Sequence, residues 1–135
     1  MDCIFCKIVS GQIPTRVIRQ TSHSMAFLDA FPLAKGHTLV IPKKHHTKIQ
    51  DMSVDENSDL FSLVHDILPK IDALTGSTLV AVHNGKNAGQ DIPHAHVHLV
   101  PRSTNDSAGP IHSMFESKKF SDSEIQEIYN KLISQ

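Results

Sequence analysis

The sequence predicts one α+β domain, in which a mostly antiparallel sheet of about five strands accompanies one long helix and a C-terminal helix. The chain has 135 residues, of which 39% are hydrophobic and 20% charged. This size and composition suit a single folded domain over residues 1–135 and argue against disorder. One long stretch repeats apolar residues at helical spacing, and several short segments rich in β-branched and apolar residues carry the strand signal.

The N-terminal part is predicted to be a helical turn followed by three short strands. The helical turn covers Cys3–Ser10 and ends at Gly11. The predicted strands are Arg16–Gln20, Ser24–Leu28 and Thr38–Ile41. The segment between the last two carries a proline and a glycine and is predicted to be a loop.

The long helix is predicted over Val54–Leu74. Apolar residues recur there every three or four positions, at Leu60, Leu63, Val64, Ile67, Leu68, Ile71 and Leu74. Pro69 is expected to kink this helix or divide it in two, and Gly76 is expected to end it.

Two further strands and a second helix complete the prediction. The strands are Thr78–His83 and His94–Pro101, separated by a loop that contains glycine and asparagine. The residues from Ser103 to Gly109 form a polar loop, and a capping box over Ser121–Glu124 begins a C-terminal helix that ends near Ile133.

Charge and hydropathy exclude several classes of function. Thirteen Lys and Arg against fourteen Asp and Glu give a net charge of -1, so the electrostatic signature of a nucleic-acid binder is absent. The longest apolar runs have four residues, whereas a membrane span needs about 20. The N-terminus resembles neither a signal peptide nor a transit peptide. We therefore expect a protein of the cytoplasm with no nucleic-acid or membrane partner.

Histidine is the anomalous residue: the chain has ten, with one Tyr and no Trp. If residues 94–101 form a strand, His94, His96 and His98 share one face, because side chains on a strand alternate with a period of two. Three imidazoles on one face suit either a catalytic zinc with three histidine ligands or imidazole-based chemistry at phosphorus. The alternative without a function is a solvent-exposed strand face that carries histidine by chance.

The loop before these histidines favours phosphorus. It reads Asn84-Gly85-Lys86-Asn87-Ala88-Gly89-Gln90-Asp91, and its glycines allow backbone N–H groups to turn toward an anion. A plain hairpin turn would have the same composition, so the loop is informative only because the imidazoles follow it closely.

These motifs resemble the histidine-triad (HIT) superfamily, and most of all its nucleotide-binding Hint branch. The segment His94-Ala95-His96-Val97-His98-Leu99-Val100 matches the family's alternating histidine motif. The similarity extends over residues 3–102, leaving a divergent segment over residues 103–135. It also includes the segments Cys3–Ile8, Ala26–Asp29, Gly36–His45, Asn84-Gly85 and Ala88–Gln90.

The resemblance implies the HIT fold, a homodimer, no organic cofactor, and a hydrolase that acts on purine nucleoside 5′-phosphoramidates. His96 would be the nucleophile that carries AMP covalently, and His98 would contact the phosphate and help to protonate the leaving group. His94 and His37 would orient this array. The nucleotide would be bound by Asp29 at the ribose and by Phe5, Ile8, Phe27 and Ala30 near the base. Around the phosphate it would be bound by Asn84, the backbones of Gly89 and Gln90, and Asp91.

Several of these residues also have ordinary structural explanations. Phe5, Ile8 and Phe27 suit a hydrophobic core, and Asp29 suits a turn. Asp91 departs from the branch, where Ser or Thr is common: an ionised carboxylate cannot donate a hydrogen bond to a phosphate and repels it. Its backbone N–H or a cationic leaving group would explain it instead.

The pair Cys3 and Cys6 has the spacing of half a zinc site. The resemblance to relatives with this motif implies a structural zinc held by Cys3, Cys6, His45 and His94, with His46 as an alternative to His45. A zinc-bound His94 would hold its strand against the N-terminal segment and could not titrate as a catalytic relay. Two small apolar fillers are the structural alternative for the cysteines. The other histidines, His23, His65, His83 and His112, are expected to be surface or structural residues.

Three rival functions remain open at the level of the sequence, one of them the catalytic zinc enzyme with three imidazole ligands, which would lose activity on chelation. A dinucleoside polyphosphate hydrolase would use the same imidazoles on a phosphoanhydride, and a nucleotide-binding regulatory protein would retain the pocket with vestigial catalysis.

Overall fold

A computed structural model describes residues 2–134, which fall into two compact units divided along the chain between Thr104 and Asn105. The N-terminal unit carries helices α1 and α2 and all five strands. Their bounds are α1 Ile4–Val9, β1 Val17–Gln20, β2 Ser24–Leu28, β3 Thr38–Pro42, α2 Val54–Thr75, β4 Ser77–Ala81 and β5 Val97–Arg102. The C-terminal unit carries α3, Asp122–Ile133.

The five strands form one sheet in the order β1-β2-β3-β5-β4, and every neighbouring pair is antiparallel. The predicted α+β class is therefore confirmed. The helix α2 packs its buried stripe on one face of this sheet, against Ala26, Val40, Val97 and Leu99. Because side chains alternate along a strand, the intervening residues face the other way.

The opposite face of the sheet has its own apolar layer. Met25, Phe27, Leu39 and Ile41 pack there with Phe5 of α1. Both faces are thus covered, which explains why β2 and β3 read as nearly continuous apolar runs. The N-terminal segment that bears the two cysteines lies against this second layer.

The helix α2 runs unbroken past Pro69, so the expected division at that residue is wrong. Proline removes the hydrogen bond to the carbonyl of His65, but both residues are exposed, where water can bind that carbonyl. Ile67 and Ile71 pack into the core on either side. Gly76 ends the helix as predicted, with a positive φ of 95°.

The histidine strand is shorter than predicted, because β5 begins at Val97 and not at His94. Ahead of β5 the backbone at Ala95 pairs with a loop and not with a strand, since its N–H donates to the His46 carbonyl at 2.7 Å. The last pair with β3 is Val40 with Val97. His94 and His96 therefore lie ahead of the strand, and only His98 lies on it. Similarly, β4 ends at Ala81, before His83.

The C-terminal unit contains a short 3₁₀ turn over Ile111–Met114 and the helix α3. The predicted capping box of α3 is present, since Ser121 Oγ accepts from the Glu124 N–H and Glu124 Oε1 accepts from the Ser121 N–H. Every side chain over residues 107–134 is exposed. Within residues 2–134, no helix has both the length and the apolar character that crossing a membrane requires.

Candidate active site and metal cluster

The segment that leads into β5 brings two of the predicted histidines into one cavity of about 310 Å³, which we call the histidine cavity. The rings of His96 and His98 lie 4.9 Å apart, centroid to centroid, and His83 lies 5.4 Å from His98. All three line the cavity. Residues of α1, β2, β3 and β5 line the cavity, together with residues of the loop that follows β4. The fold therefore assembles the cavity from distant parts of the N-terminal unit.

The hydrogen bonding of His96 fixes where its proton lies. His96 Nδ1 is 2.7 Å from the His94 carbonyl oxygen. Because a carbonyl only accepts, Nδ1 carries the hydrogen, and Nε2 of the neutral ring holds the free lone pair. The edge of Phe5 packs against this ring, 5.1 Å away, and keeps it oriented. His96 is therefore held as a neutral imidazole with Nε2 available for attack.

A second chain of hydrogen bonds fixes His98 in the opposite way. The Leu33 N–H donates to His37 Nδ1 at 3.0 Å, so His37 carries its proton on Nε2. That group is 3.0 Å from His98 Nδ1, which must accept. His98 therefore bears its proton on Nε2, a buried atom with no hydrogen-bond partner among the described residues. The Nε2–H of His98 is therefore available to donate a hydrogen beside the ring of His96.

Burial keeps these rings neutral. It lowers the pKa of His98 to about 4, helped by the neighbouring His96 and His37. It also lowers the pKa of His96 and of His37 below the ordinary value of histidine, although Asp29 acts in the opposite direction on both. A neutral His96 at pH 7 retains the lone pair that nucleophilic attack requires.

Most of the predicted nucleotide residues line the histidine cavity. They are Phe5, Ile8, Phe27, Asp29, Ala30, Gly89 and Asp91, together with His96 and His98. Phe5 and Phe27 are also buried in the core, so the structural explanation for them is confirmed, and their contact with a nucleotide stays a prediction. None of the described residues that line the cavity is Lys or Arg.

Asp29 has the turn role that was weighed for it, and it also lines the cavity where ribose binding is predicted. One carboxylate oxygen accepts from the Phe31 N–H at 2.8 Å and closes a turn, and the other lies 3.6 Å from His37 Nε2. It still lines the cavity. A carboxylate has spare lone pairs after these contacts and can accept from hydroxyl groups.

Asn84 and Gln90 do not line the cavity, and their side chains bond to other residues of the protein. The Asn84 amide accepts from the Ile49 N–H and donates to Gln50. Gln90 accepts from the Gly85 N–H and donates to the carbonyls of Thr47 and Ile92.

The predicted phosphate nest is also occupied by the loop itself. The Gly89 N–H donates to the Lys86 carbonyl and the Gln90 N–H to the Gly85 carbonyl. Gly89 has a φ of 101°, and a Cβ there would lie 3.4 Å from the His83 ring. Glycine thus allows the loop to turn tightly against that ring.

His83 also lines the histidine cavity, although the sequence predicts a surface or structural role for it. The register of β4 with β5 pairs Ala81 with His98, and side chains two residues apart share a face. His83 therefore points to the same side as His98. A strand pairing deduced from the sequence would have found it.

His94 faces away from the cavity and toward the cysteines. Its Nε2 donates to the Pro42 carbonyl at 2.8 Å, which leaves the Nδ1 lone pair free. Nδ1 lies 3.5 Å from Cys3 Sγ and 3.6 Å from Cys6 Sγ, and His45 Nδ1 lies 3.4 Å from Cys6 Sγ. The four ligand atoms all lie within 4.8 Å of one another. We call these four residues the Cys2His2 cluster.

The geometry of this cluster fits a tetrahedral zinc. Ligand distances of about 2.3 Å for sulfur and 2.0–2.1 Å for nitrogen at the tetrahedral angle place neighbouring ligands about 3.6 Å apart. The observed separations of 3.4–3.6 Å agree. His46 is not part of the cluster, because its Nε2 is 2.9 Å from the Glu56 carboxylate.

A second group of potential ligands, Asp29, His37 and His98, does not fit a metal. His37 accepts a backbone N–H at Nδ1, so its Nε2 carries a proton and has no lone pair for a cation. These residues lie close together because hydrogen bonds run from the Leu33 N–H to His37 and from His37 to His98.

Comparison with known proteins agrees with this geometry. The family model described as HIT domain matches residues 10–105. An adenosine 5′-monophosphoramidase of Schizosaccharomyces pombe is 41% identical over 102 residues, which are 76% of this chain and 75% of the relative.

Two solved structures are similar in fold. A HIT family protein of Bacillus subtilis superposes with a TM-score of 0.89 at 29% identity, over 100% of this chain and 97% of the other. A zinc-bound histidine triad family protein of Mycobacterium smegmatis superposes with a TM-score of 0.69 at 33% identity, over 79% of each chain. With the histidine motif, the sheet order and the family match in agreement, the chain belongs to the HIT family and is a hydrolase of nucleotides.

Proposed function

We propose that this protein hydrolyses purine nucleoside 5′-phosphoramidates through a nucleotide covalently bound to His96. The observation that carries the proposal is the pair of opposite proton positions in one cavity: His96 has its lone pair on Nε2, and His98 has its proton on Nε2. A nucleophile and a proton donor side by side are what displacement at phosphorus requires. The similarity to an adenosine 5′-monophosphoramidase supports the choice of substrate.

The lining of the cavity suits the parts of such a substrate. Phe5, Ile8, Phe27 and Ala30 offer an apolar surface for the base, and Asp29 offers carboxylate oxygens for the ribose hydroxyls. The phosphate then lies beside His96 and His98.

The reaction proceeds in two displacements. His96 Nε2 attacks the α-phosphorus as the phosphorus–nitrogen bond of the substrate breaks. The amine departs with the proton that His98 donates from Nε2, and the water that attacks in the second step returns a proton to that nitrogen. Water then attacks the same phosphorus, the bond to His96 breaks, and AMP leaves with the imidazole restored to its neutral form.

A dinucleoside polyphosphate hydrolase is less well supported, because its leaving group is itself a polyphosphate. Such sites use Arg, Lys or a metal to hold the extra negative charges. The described lining offers two carboxylates, Asp29 and Asp91, and neither Lys nor Arg.

The test is hydrolysis of adenosine 5′-phosphoramidate and of a diadenosine polyphosphate in parallel, with chromatography of the AMP released. We expect kcat/KM to be much higher for the phosphoramidate, and His96→Asn to lower it by at least 10³-fold because the nucleophile is lost. A native enzyme that prefers the polyphosphate, or a His96→Asn variant near the native rate, would overturn the proposal. Binding of AMP without turnover would favour a regulatory role.

We further propose that the Cys2His2 cluster binds a structural zinc. Sulfur and imidazole ligands at tetrahedral spacing support this choice. With zinc bound, Cys3, Cys6, His45 and His94 would tie the N-terminal segment to the loop after β3 and to the residues ahead of β5. Zinc there has no open position, so its role is to stabilise the fold.

Metal analysis of protein purified without chelator tests the zinc site. We expect about one zinc per chain and a lower Tm after chelation, and Cys6→Ser should lose both the metal and the Tm difference. A metal-free protein whose Tm does not respond to added zinc would contradict this proposal.

We also propose a homodimer in which two sheets join edge to edge. The strand β4 lies at the edge of the sheet, with Leu79 and Val80 exposed. An apolar edge strand readily pairs with another strand. Light scattering after size-exclusion chromatography should show a dimer, and Val80→Lys should shift it toward monomer; a native protein that is monomeric at micromolar concentration would refute this.

A further inference from the structure

Two carboxylates are among the described residues that line the histidine cavity, and the proposed function gives no role to the one on Asp91. It lies in the loop between Gly89 and Ile92, all three of which line the cavity. Among residues 2–134 it has neither a hydrogen bond nor an ion pair, unlike Asp29, which accepts from the Phe31 N–H and contacts His37. The residue is exposed, so its carboxylate can reach a bound substrate as well as solvent.

A carboxylate near the phosphate of a bound nucleotide opposes binding. The two anions repel each other, and the described lining holds no Lys or Arg to offset the charge. If the substrate carried only the negative charge of its phosphate, Asp91 would weaken binding. Asp91 acts electrostatically on His96, whose pKa it raises against the larger lowering by burial. A positive charge on the leaving group would offset the repulsion between Asp91 and the phosphate directly.

The leaving group is the part of the substrate that can bring this charge. The proposed function assigns the base to the apolar side chains, the ribose to Asp29, and the phosphate to His96 and His98. The amine portion of the substrate is the part to which no residue has been assigned, and Asp91 is the charged lining residue without a substrate contact. A positive charge on the amine portion would be attracted to the Asp91 carboxylate.

We infer that Asp91 selects nucleoside 5′-phosphoramidates whose amine portion carries a positive charge, such as the amide of a diamine. This inference rests on the proposed function and deepens it. Asp91 acts on the leaving group before and during cleavage, and it disfavours amines that carry a carboxylate.

The size of the effect follows from the exposure of the group. A carboxylate and an ammonium about 5 Å apart in a water-like environment attract enough to change kcat/KM about four-fold, and partial exclusion of water raises this to about ten-fold. A carboxylate on the leaving group should lower kcat/KM by a similar factor. Added salt should reduce both differences, because the charges are accessible to solvent.

The test uses three AMP phosphoramidates of matched length, formed from ethylenediamine, propylamine and β-alanine. Their leaving groups are cationic, neutral and anionic. We expect the native enzyme to rank kcat/KM in that order. Asp91→Asn keeps the size of the side chain and removes its charge, so the three values should converge, chiefly by loss with the cation and gain with the anion.

Asp66→Asn is the matched control, since it removes one negative charge from the exposed side of α2 and does not line the cavity. It should keep the native ranking. Equal kcat/KM values for the three substrates, or a ranking that Asp91→Asn preserves, would overturn the role of Asp91 while leaving the proposed function intact. Failure of the native enzyme to release AMP from any of the three would overturn both.

Discussion

Replacing Gln90 should destabilise the protein as much as removing a core side chain. Gln90 is 8% exposed and makes three side-chain hydrogen bonds, to the Gly85 N–H and to the carbonyls of Thr47 and Ile92. A typical hydrogen bond contributes about 1 kcal/mol net, so Gln90→Leu should lower the free energy of unfolding by roughly 3 kcal/mol. That is a large share of the 5–15 kcal/mol that stabilises a typical domain.

Urea unfolding followed by far-ultraviolet circular dichroism measures this loss. Gln50→Ala is the control, because Gln50 is exposed and accepts a single hydrogen bond from Asn84; it should cost less than about 1 kcal/mol. Gln90→Glu should be at least as harmful as Gln90→Leu, since its carboxylate would face two carbonyl oxygens. A Gln90→Leu variant within about 0.5 kcal/mol of native would refute the reasoning and return Gln90 to the role of a substrate contact.

Two other predictions concern stability. Hydrogen bonding to the Ser53 backbone N–H is the first cause that lowers the pKa of Glu56 from 4.5 to about 2, so this carboxylate stabilises the fold above pH 5 and progressively less toward pH 2; the difference in unfolding free energy between native and Glu56→Gln should shrink over that range, and a constant difference would contradict it. Gly36→Ala and Gly76→Ala should lower the free energy of unfolding in urea by similar amounts, because both glycines have positive φ and the Leu74 side chain beside Gly36 is exposed and can move. A much larger loss at Gly36 would contradict this.

The sequence predicted much of the fold because its signals were local. The helical spacing of α2, its end at Gly76 and the capping box of α3 each depend on neighbouring residues, and all are confirmed. Pro69 does not divide the helix, because that residue lies on the exposed side of a helix whose other side is held by the core.

The arrangement of the histidines could be predicted only in part. Alternation along one strand predicts His94, His96 and His98 on a shared face, but the Ala95 N–H donates to His46 in the loop after β3 and not to a strand. His94 consequently turns toward Cys3 and Cys6, and His96 toward the cavity. Such long-range bonds leave no periodic signal in the sequence.

The same limit applies to the loop over residues 84–91. Its glycines predicted a phosphate nest, whereas Gln90 and the internal backbone bonds close the loop on itself. His83 was missed because its position depends on the register of β4 with β5. Proton positions on the rings, which carry the proposed function, follow only from backbone partners such as the Leu33 N–H.

Rapid quenching during turnover is the most direct test of the central role of His96. The enzyme is mixed with adenosine 5′-phosphoramidate, stopped in alkali within the first turnover, and its intact mass and peptides are measured. We predict a chain heavier by one adenylyl group, with the adduct on the peptide that contains His96 and absent from His96→Asn. Rapid AMP formation with no adduct on any peptide would contradict the covalent mechanism.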